Sequence, residues 1–370
     1  LFMACLAAVA LFMATVCAAA PPDEGQVIGY TPSLGGYIEA WYRNDASDLS
    51  NQATSSKKVD NEFRVRRARL TAKGSVTPEL GYKLTASLDG PTPGSSPSSA
   101  KLWDAYISYT AHELLKITAG QFKYDFTLEG LESTTDRIPV LRAEAINDIA
   151  GKLGTTGVSF RDIGVKVNGS YKKALGLTYG VAVINGSGIN TGDNNGSKDI
   201  VGRVTITPVD GLTVGASAYA GKGQSEGAAF EVKESAWGVD AEYRYSGLKL
   251  RGEYIAARWK NWDAASASAS EGRTERPKGW YVQASYRVPV LESLEVMGRY
   301  EEYEKDADTA GSTLKTTTAG LTYHLKGKTR ITANYLFRDA GSSPIVKAEE
   351  SNATGGNIGD LFLLQAILVF

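Results

Sequence analysis

Cysteine is nearly missing from this 370-residue chain: Cys5 and Cys17 are the only two, both within the first twenty residues. Once that segment is removed, no disulfide, thiol nucleophile or Cys-ligated metal site remains. Histidine is as scarce. His112 and His324 both fall at expected short turns, and neither is paired by sequence with a serine nucleophile, so no hydrolytic triad is in view. No later segment approaches about eighteen consecutive apolar residues, which excludes further membrane-spanning helices. Excess charge is missing too: 40 Lys+Arg against 41 Asp+Glu, a net charge of −1, rules out a strongly basic nucleic-acid binder. With 42% hydrophobic residues the chain is not intrinsically disordered either. No phosphate-cradling glycine loop or haem-attachment motif is present, and neither enzymatic chemistry nor a cofactor is expected.

What is present is glycine (40), tyrosine (19) and an alternation of period two. Ile331, Ala333, Tyr335 and Phe337 oppose Thr332, Asn334, Leu336 and Arg338; Leu294, Val296, Gly298 and Tyr300 oppose Glu295, Met297, Arg299 and Glu301. Strands with one apolar and one wet face follow. Seven short links, such as Ser246-Gly247 and Lys326-Gly327-Lys328, alternate with eight long Gly/Ser/Asp/Asn-rich stretches, which makes sixteen strands with both ends on the short-turn side. That alternation fits an outer-membrane barrel and not a stacked sandwich or propeller. Aromatics near strand ends (Trp41-Tyr42, Trp103, Tyr109, Tyr243, Tyr245, Tyr323, Tyr335, Phe337) are expected to form its interfacial girdles. The segment Leu361–Phe370 alternates and closes on an aromatic, like a barrel-assembly signal.

The expected fold is therefore all-β: a 16-stranded antiparallel transmembrane β-barrel whose long third loop folds inward. Residues 1–20 read as a signal peptide, with Cys17-Ala18-Ala19-Ala20 before Pro21 as the cleavage site; a retained or lipid-linked anchor is the alternative. Residues 21–34 are then an N-terminal periplasmic segment, and 35–370 the barrel. The location is the outer membrane of a Gram-negative bacterium, with its lipids around the wall.

If one face of each strand meets lipid, the other lines the lumen. That inward set carries a net charge of about +7 on this phase assignment, which leaves roughly −8 for loops and turns. The densest piece is Phe63-Arg64-Val65-Arg66-Arg67-Ala68-Arg69-Leu70. Phe63 and Val65 keep one phase while Ala68 and Leu70 need the other, so a β-bulge is expected at Arg66-Arg67, turning Arg64, Arg66, Arg67 and Arg69 all inward. Arginine suits oxyanions because its planar fork donates paired hydrogen bonds and stays charged. Lys83, Arg203 and Arg251 join the anion-binding set. The loop Phe122–Arg161 contains a helical-looking piece, Ile138–Ile149, that would narrow the bore with Arg137 and Arg142 opposed by Glu144 and Asp148. The competing reading has these cations merely pairing with acids in a polar interior.

The runs Arg66-Arg67-Ala68-Arg69-Leu70, Ala119-Gly120-Gln121-Phe122-Lys123 and Arg161-Asp162-Ile163-Gly164-Val165 resemble the phosphate-selective porin O and P family. So do Gly180–Asn190 and Lys198-Asp199-Ile200-Val201-Gly202-Arg203-Val204. The resemblance implies a homotrimer of sixteen-stranded barrels that passes small anions along an arginine ladder through a narrowed middle. The sequence departs from that family at the fifth extracellular loop, where Gly221–Glu234 offers only Lys222 and Lys233 beside Glu226, Glu231 and Glu234 in place of a lysine cluster. The expected function is passive diffusion of small anions, phosphate or other oxyanions among them, through a positively lined pore. A sheath around a partner such as a cytochrome conduit, and a non-selective porin, are the alternatives; the sheath needs an unobstructed lumen.

Overall fold

A computed structural model describes residues 32–47, 61–88, 100–151, 153, 160–173, 175–193, 195–223, 231–263, 268–341 and 357–370. The expected signal peptide and most of the segment that follows it lie outside the described residues.

Seventeen strand segments form one antiparallel sheet: β1 (Ser33–Asp45), β2 (Asn61–Ser75), β3 (Leu80–Ser87), β4 (Lys101–His112), β5 (Leu115–Lys123), β6 (Arg161–Tyr171), β7 (Leu177–Ile184), β8 (Asp199–Val209) and β9 (Leu212–Gly223), then β10 (Val232–Tyr245), β11 (Leu248–Asp263), β12 (Ser268–Glu275), β13 (Lys278–Arg287), β14 (Leu294–Glu304), β15 (Thr313–Lys326), β16 (Thr329–Ala340) and β17 (Leu361–Val369). Both β12 and β13 pair with β11, one with its far end and one with its body, so they occupy a single place in the wall. The wall is thus a closed 16-stranded barrel, since β1 pairs β17 from Tyr37↔Val369 to Asp45↔Leu361. Closure leaves no sheet edge. In lipid each orphaned N–H or C=O would cost several kcal/mol, which is why only a closed sheet is stable there.

Residue type fixes which face meets lipid. On β15, Thr317, Ala319, Leu321 and Tyr323 are exposed while Thr316, Thr318, Gly320 and Thr322 are buried inside. Aromatic pairs on the outer face gather towards the long-connection ends: Tyr42–Phe63 (4.8 Å), Trp237–Tyr254 (5.3 Å), Trp280–Tyr300 (5.6 Å) and Tyr335–Phe337 (4.6 Å). Tyr243, Tyr245, Tyr286 and Tyr323 mark the short-turn end. Two expected girdle residues are not there. Trp41 is 2% exposed and on the inner face with Glu39 and Arg43, and Trp103 lies inside too.

The expected bulge is observed. Glu39 pairs Arg67 and Ala40 pairs Val65, so Arg66 is the extra residue. One of the eight long stretches, Trp259–Lys278, carries strand where a loop is expected: β11 runs to Asp263 and β12 returns beside it. Asn261 at φ 61 breaks the register there and accepts the Gly272 N–H. The helical reading of Ile138–Ile149 also needs correction. A short helix α1 (Leu128–Leu131), capped by Thr127, precedes it, and helix is confined to its second half, where Glu144-Ala145 lead into a π-helical turn (Ile146–Ala150). Carbonyls of Pro139, Val140 and Leu141 are taken by Arg137 and Arg299, so they are unavailable to a helix.

Candidate functional site

Residues 124–151, between β5 and β6, are bonded to the inner wall on several strands. Thr127 N–H donates to Ser217 on β9; Leu128 and Glu129 N–H donate to the Glu253 carboxylate on β11 (2.7 and 3.1 Å). Asn334 on β16 accepts the Val140 N–H at 2.7 Å. Arg330, also on β16, donates to the carbonyls of Thr134, Thr135 and Arg137 at 3.1, 2.5 and 2.6 Å. Apolar packing follows the same course. Phe126, Ile146, Ile149 and Phe160 join Ile255, Tyr281 and Tyr303 in one buried cluster, while Val140 and Leu141 meet Trp41, Leu336, Leu361 and Leu363 in another. Wall leucines on a nominally wet face are explained by this contact.

The connection also sorts charge. Its Glu129 and Glu132 face the cations of β11 and β14: Arg251 donates to Glu132 at 2.9 Å and Arg299 to Glu129 at 3.3 Å, with Lys249 near Glu132 at 3.4 Å. Burial alone would raise the Glu132 carboxyl, but the Arg251 and Lys249 charges outweigh it and hold the group at about 2, below its usual 4.5. A lowered carboxyl contributes fully above its ordinary value and loses that contribution as pH falls through the folded one. The Glu132 contact is therefore expected to weaken from about pH 4.5 downwards. Channel current noise recorded against pH should rise over that window, and Glu132→Gln should show the same noise at neutral pH.

The wall from β1 to β6 is left cationic. It encloses a cavity of about 1060 Å³ that reaches from the short-turn end, at Ser33 and Phe370, up to Phe160 and Asn147 of the connection. Eleven lysines and arginines line it against four carboxylates, Asp104, Asp125, Glu132 and Asp136. The guanidinium of Arg69 lies 3.6 Å over the Trp103 ring and that of Arg161 4.6 Å over it. Asp104 spaces the cations, accepting from Arg161 Nε at 2.8 Å and Lys83 Nζ at 2.9 Å. Arg67 is held by Glu39 (2.8 Å), a carboxylate 0% exposed that also accepts from Trp41 and Gln365.

Of the residues singled out by sequence, the structure brings Arg66, Arg67, Arg69, Lys83 and Arg142 into this cavity. Arg64 is farther along β2, over the Trp41 ring at 5.0 Å and 3.2 Å from Glu62. Arg203 is engaged by both oxygens of Asp240 (2.5 and 2.8 Å), and Arg251 by Glu132. Arg137 folds back on its own segment, donating to the carbonyls of Pro139 and Val140. Of the acids expected to oppose them, Glu144 is buried in the connection and Asp148 takes the Tyr303 hydroxyl.

Three cavity cations escaped the strand phase: Lys123, Arg161 and Lys328. Lys123 and Arg161 pair at the ends of β5 and β6, where the chain leaves the wall for the lumen and inside-outside counting lapses. Trp103 escaped for another reason, a second bulge. Thr85 pairs Asp104 and Ala86 pairs Leu102, so Trp103 is supernumerary and turns in. The signal was available, since Leu102 and Ile107 face out five residues apart, an odd spacing.

Among the described residues no group of His, Cys, Asp and Glu is arranged to hold a metal, and no helix is long and apolar enough to cross a membrane, which says nothing of strands. A comparison with curated protein sequences finds no match. The fold has many solved counterparts. An anion-selective porin from Comamonas acidovorans superposes with a TM-score of 0.67 at 15% identity, covering 92% of this chain and 99% of that one. OmpT of Vibrio cholerae, in vitro folded and in its trimer form, gives 0.59 at 14% identity, covering 92% and 99%. OmpF of Salmonella typhi in complex with daunomycin gives 0.62 at 16% identity, covering 92% and 98%. At such identities the likeness shows the fold. The sequence itself matches the family model of the Gram-negative porins over residues 4–342, and the chain belongs to that family of channels in the bacterial outer membrane.

Proposed function

We propose that this porin passes small anions by passive diffusion, inorganic oxyanions such as phosphate included, along the cationic half of its lumen. The observation that carries the reading is the cavity wall, with eleven cationic side chains against four carboxylates. A low-dielectric tube focuses such a field, concentrating anions and repelling cations. The pathway runs past Arg66, Arg67, Arg69, Lys83 and Arg142. Arg64, Arg137, Arg203 and Arg251 instead contribute to the charge and rigidity of the wall and the connection, which narrows the bore. A sheath for a partner protein is disfavoured by the same connection, whose bonds to β9, β11, β14 and β16 occupy the space a partner needs.

Three copies are proposed to assemble in the membrane, a reading supported by the trimer form of the structurally similar OmpT. Residues 1–20 are proposed to be removed after Ala20, so that the exported chain begins at Pro21. Proteoliposome swelling tests the transport reading. Gluconate is expected to enter faster than glucosamine, its cationic counterpart of similar size; equal rates, or the reverse order, would refute it.

A further inference from the structure

The cavity wall is aromatic as well as charged. Of nine cation–ring contacts among the described residues, six have both partners in this wall. Besides the two guanidiniums over Trp103, Arg69 lies 5.8 Å from the Tyr37 ring, Arg142 4.7 Å and Lys123 5.9 Å from Phe160, and Lys166 5.4 Å from Phe122. Such contacts occur roughly once per 70–80 residues in proteins generally, so six around one void are a concentration. A lumen built only to attract inorganic ions needs the cations and not the rings.

The arrangement at Trp103 is built. A bulge is spent to turn the indole inward, and Asp104 beside it fixes Arg161 over the ring. The indole N–H is buried and has no acceptor among the described residues. Arg69 Nε donates to Ser87 at 3.3 Å as Arg161 Nε does to Asp104, which holds both guanidinium planes against the indole, and a guanidinium plane also attracts other flat groups.

We infer that this cavity is a binding site for flat aromatic anions, arylcarboxylates being the simplest class. The ring stacks among the Trp103, Arg69 and Arg161 layers, and the carboxylate is held by the cationic excess of the lining, with Phe160 and Arg142 closing the far side. A cavity of about 1060 Å³ holds such a molecule easily. The inference rests on the reading of the lumen as an anion pathway and adds the class of anion it retains.

The test compares benzoate with cyclohexanecarboxylate, equal in charge and near in size but without a π face. Each is added to both sides of a bilayer holding the full-length channel, and block of the chloride current is titrated. Benzoate should block at roughly tenfold lower concentration than cyclohexanecarboxylate, the ratio that one aromatic–guanidinium stack supplies. Trp103→Leu should bring that ratio towards one, its folding checked by the heat-modifiable gel shift of an intact barrel. Equal block by the two acids in the native channel, or block by neither, overturns the inference. The zero-current potential of the same native channel is read separately: cation preference there defeats the anion pathway, whereas anion preference with equal block defeats only the aromatic site.

Discussion

Replacing Arg66, Arg69 and Arg142 together with glutamate is expected to abolish the anion preference of the channel. All three line the cavity, and the exchange brings its eleven cations and four carboxylates close to balance. A unit charge within several Å of a permeating ion contributes about 1 kcal/mol or more in a partly desolvated bore, so three reversals should shift the anion-to-cation permeability ratio by well over tenfold. Arg67 is left in place for a reason. Its partner Glu39 is 0% exposed, and removing one member of a buried pair would cost about 3–5 kcal/mol and confuse selectivity with folding. The check is the zero-current potential of the triple variant across a salt gradient. An unchanged anion preference would mean that ions do not take this side of the lumen.

Arg330→Ala is expected to free the connection from the wall. The guanidinium is buried and bridges three carbonyls of residues 134–137. Each orphaned carbonyl costs roughly 1–3 kcal/mol when it remains buried, so the segment should leave its place and hydrate instead. Single-channel conductance should rise, and trypsin should cut at Arg137 or Arg142, which the native barrel shields. Conductance and protease resistance both at native levels would show that the wall contacts of Arg330 are dispensable.

The barrel was legible in the sequence because lipid enforces period two. Ile331 to Arg338 sort onto opposite faces without exception, and the alternation of short and long links returned the number of wall positions. The bulge at Arg66 was legible for the same reason, as a conflict of phase between Val65 and Ala68. Trp103 is the same kind of conflict and was hidden by residue type, because an indole near a strand end suggests an interfacial girdle. Trp41 was hidden likewise, although it shares its phase with Glu39 and Arg43. Beyond phase, the sequence runs out. Arg203 meets Asp240 diagonally across β8, β9 and β10, a contact set by the register of three strands. Glu129 and Glu132 find their cations only because the connection crosses the lumen, which no local pattern records. The charge sorting that leaves β1 to β6 cationic is therefore a property of the assembled barrel. The inward excess that the sequence suggests becomes one cationic half and one half filled by packed chain.

The central claim is that ions cross through that cationic half. The zero-current potential of the native channel in a planar bilayer, under a tenfold potassium chloride gradient, tests it most directly. The potential should carry the sign of chloride permeating ahead of potassium, and its magnitude should shrink as ionic strength screens the wall. A potential of the opposite sign would contradict the account.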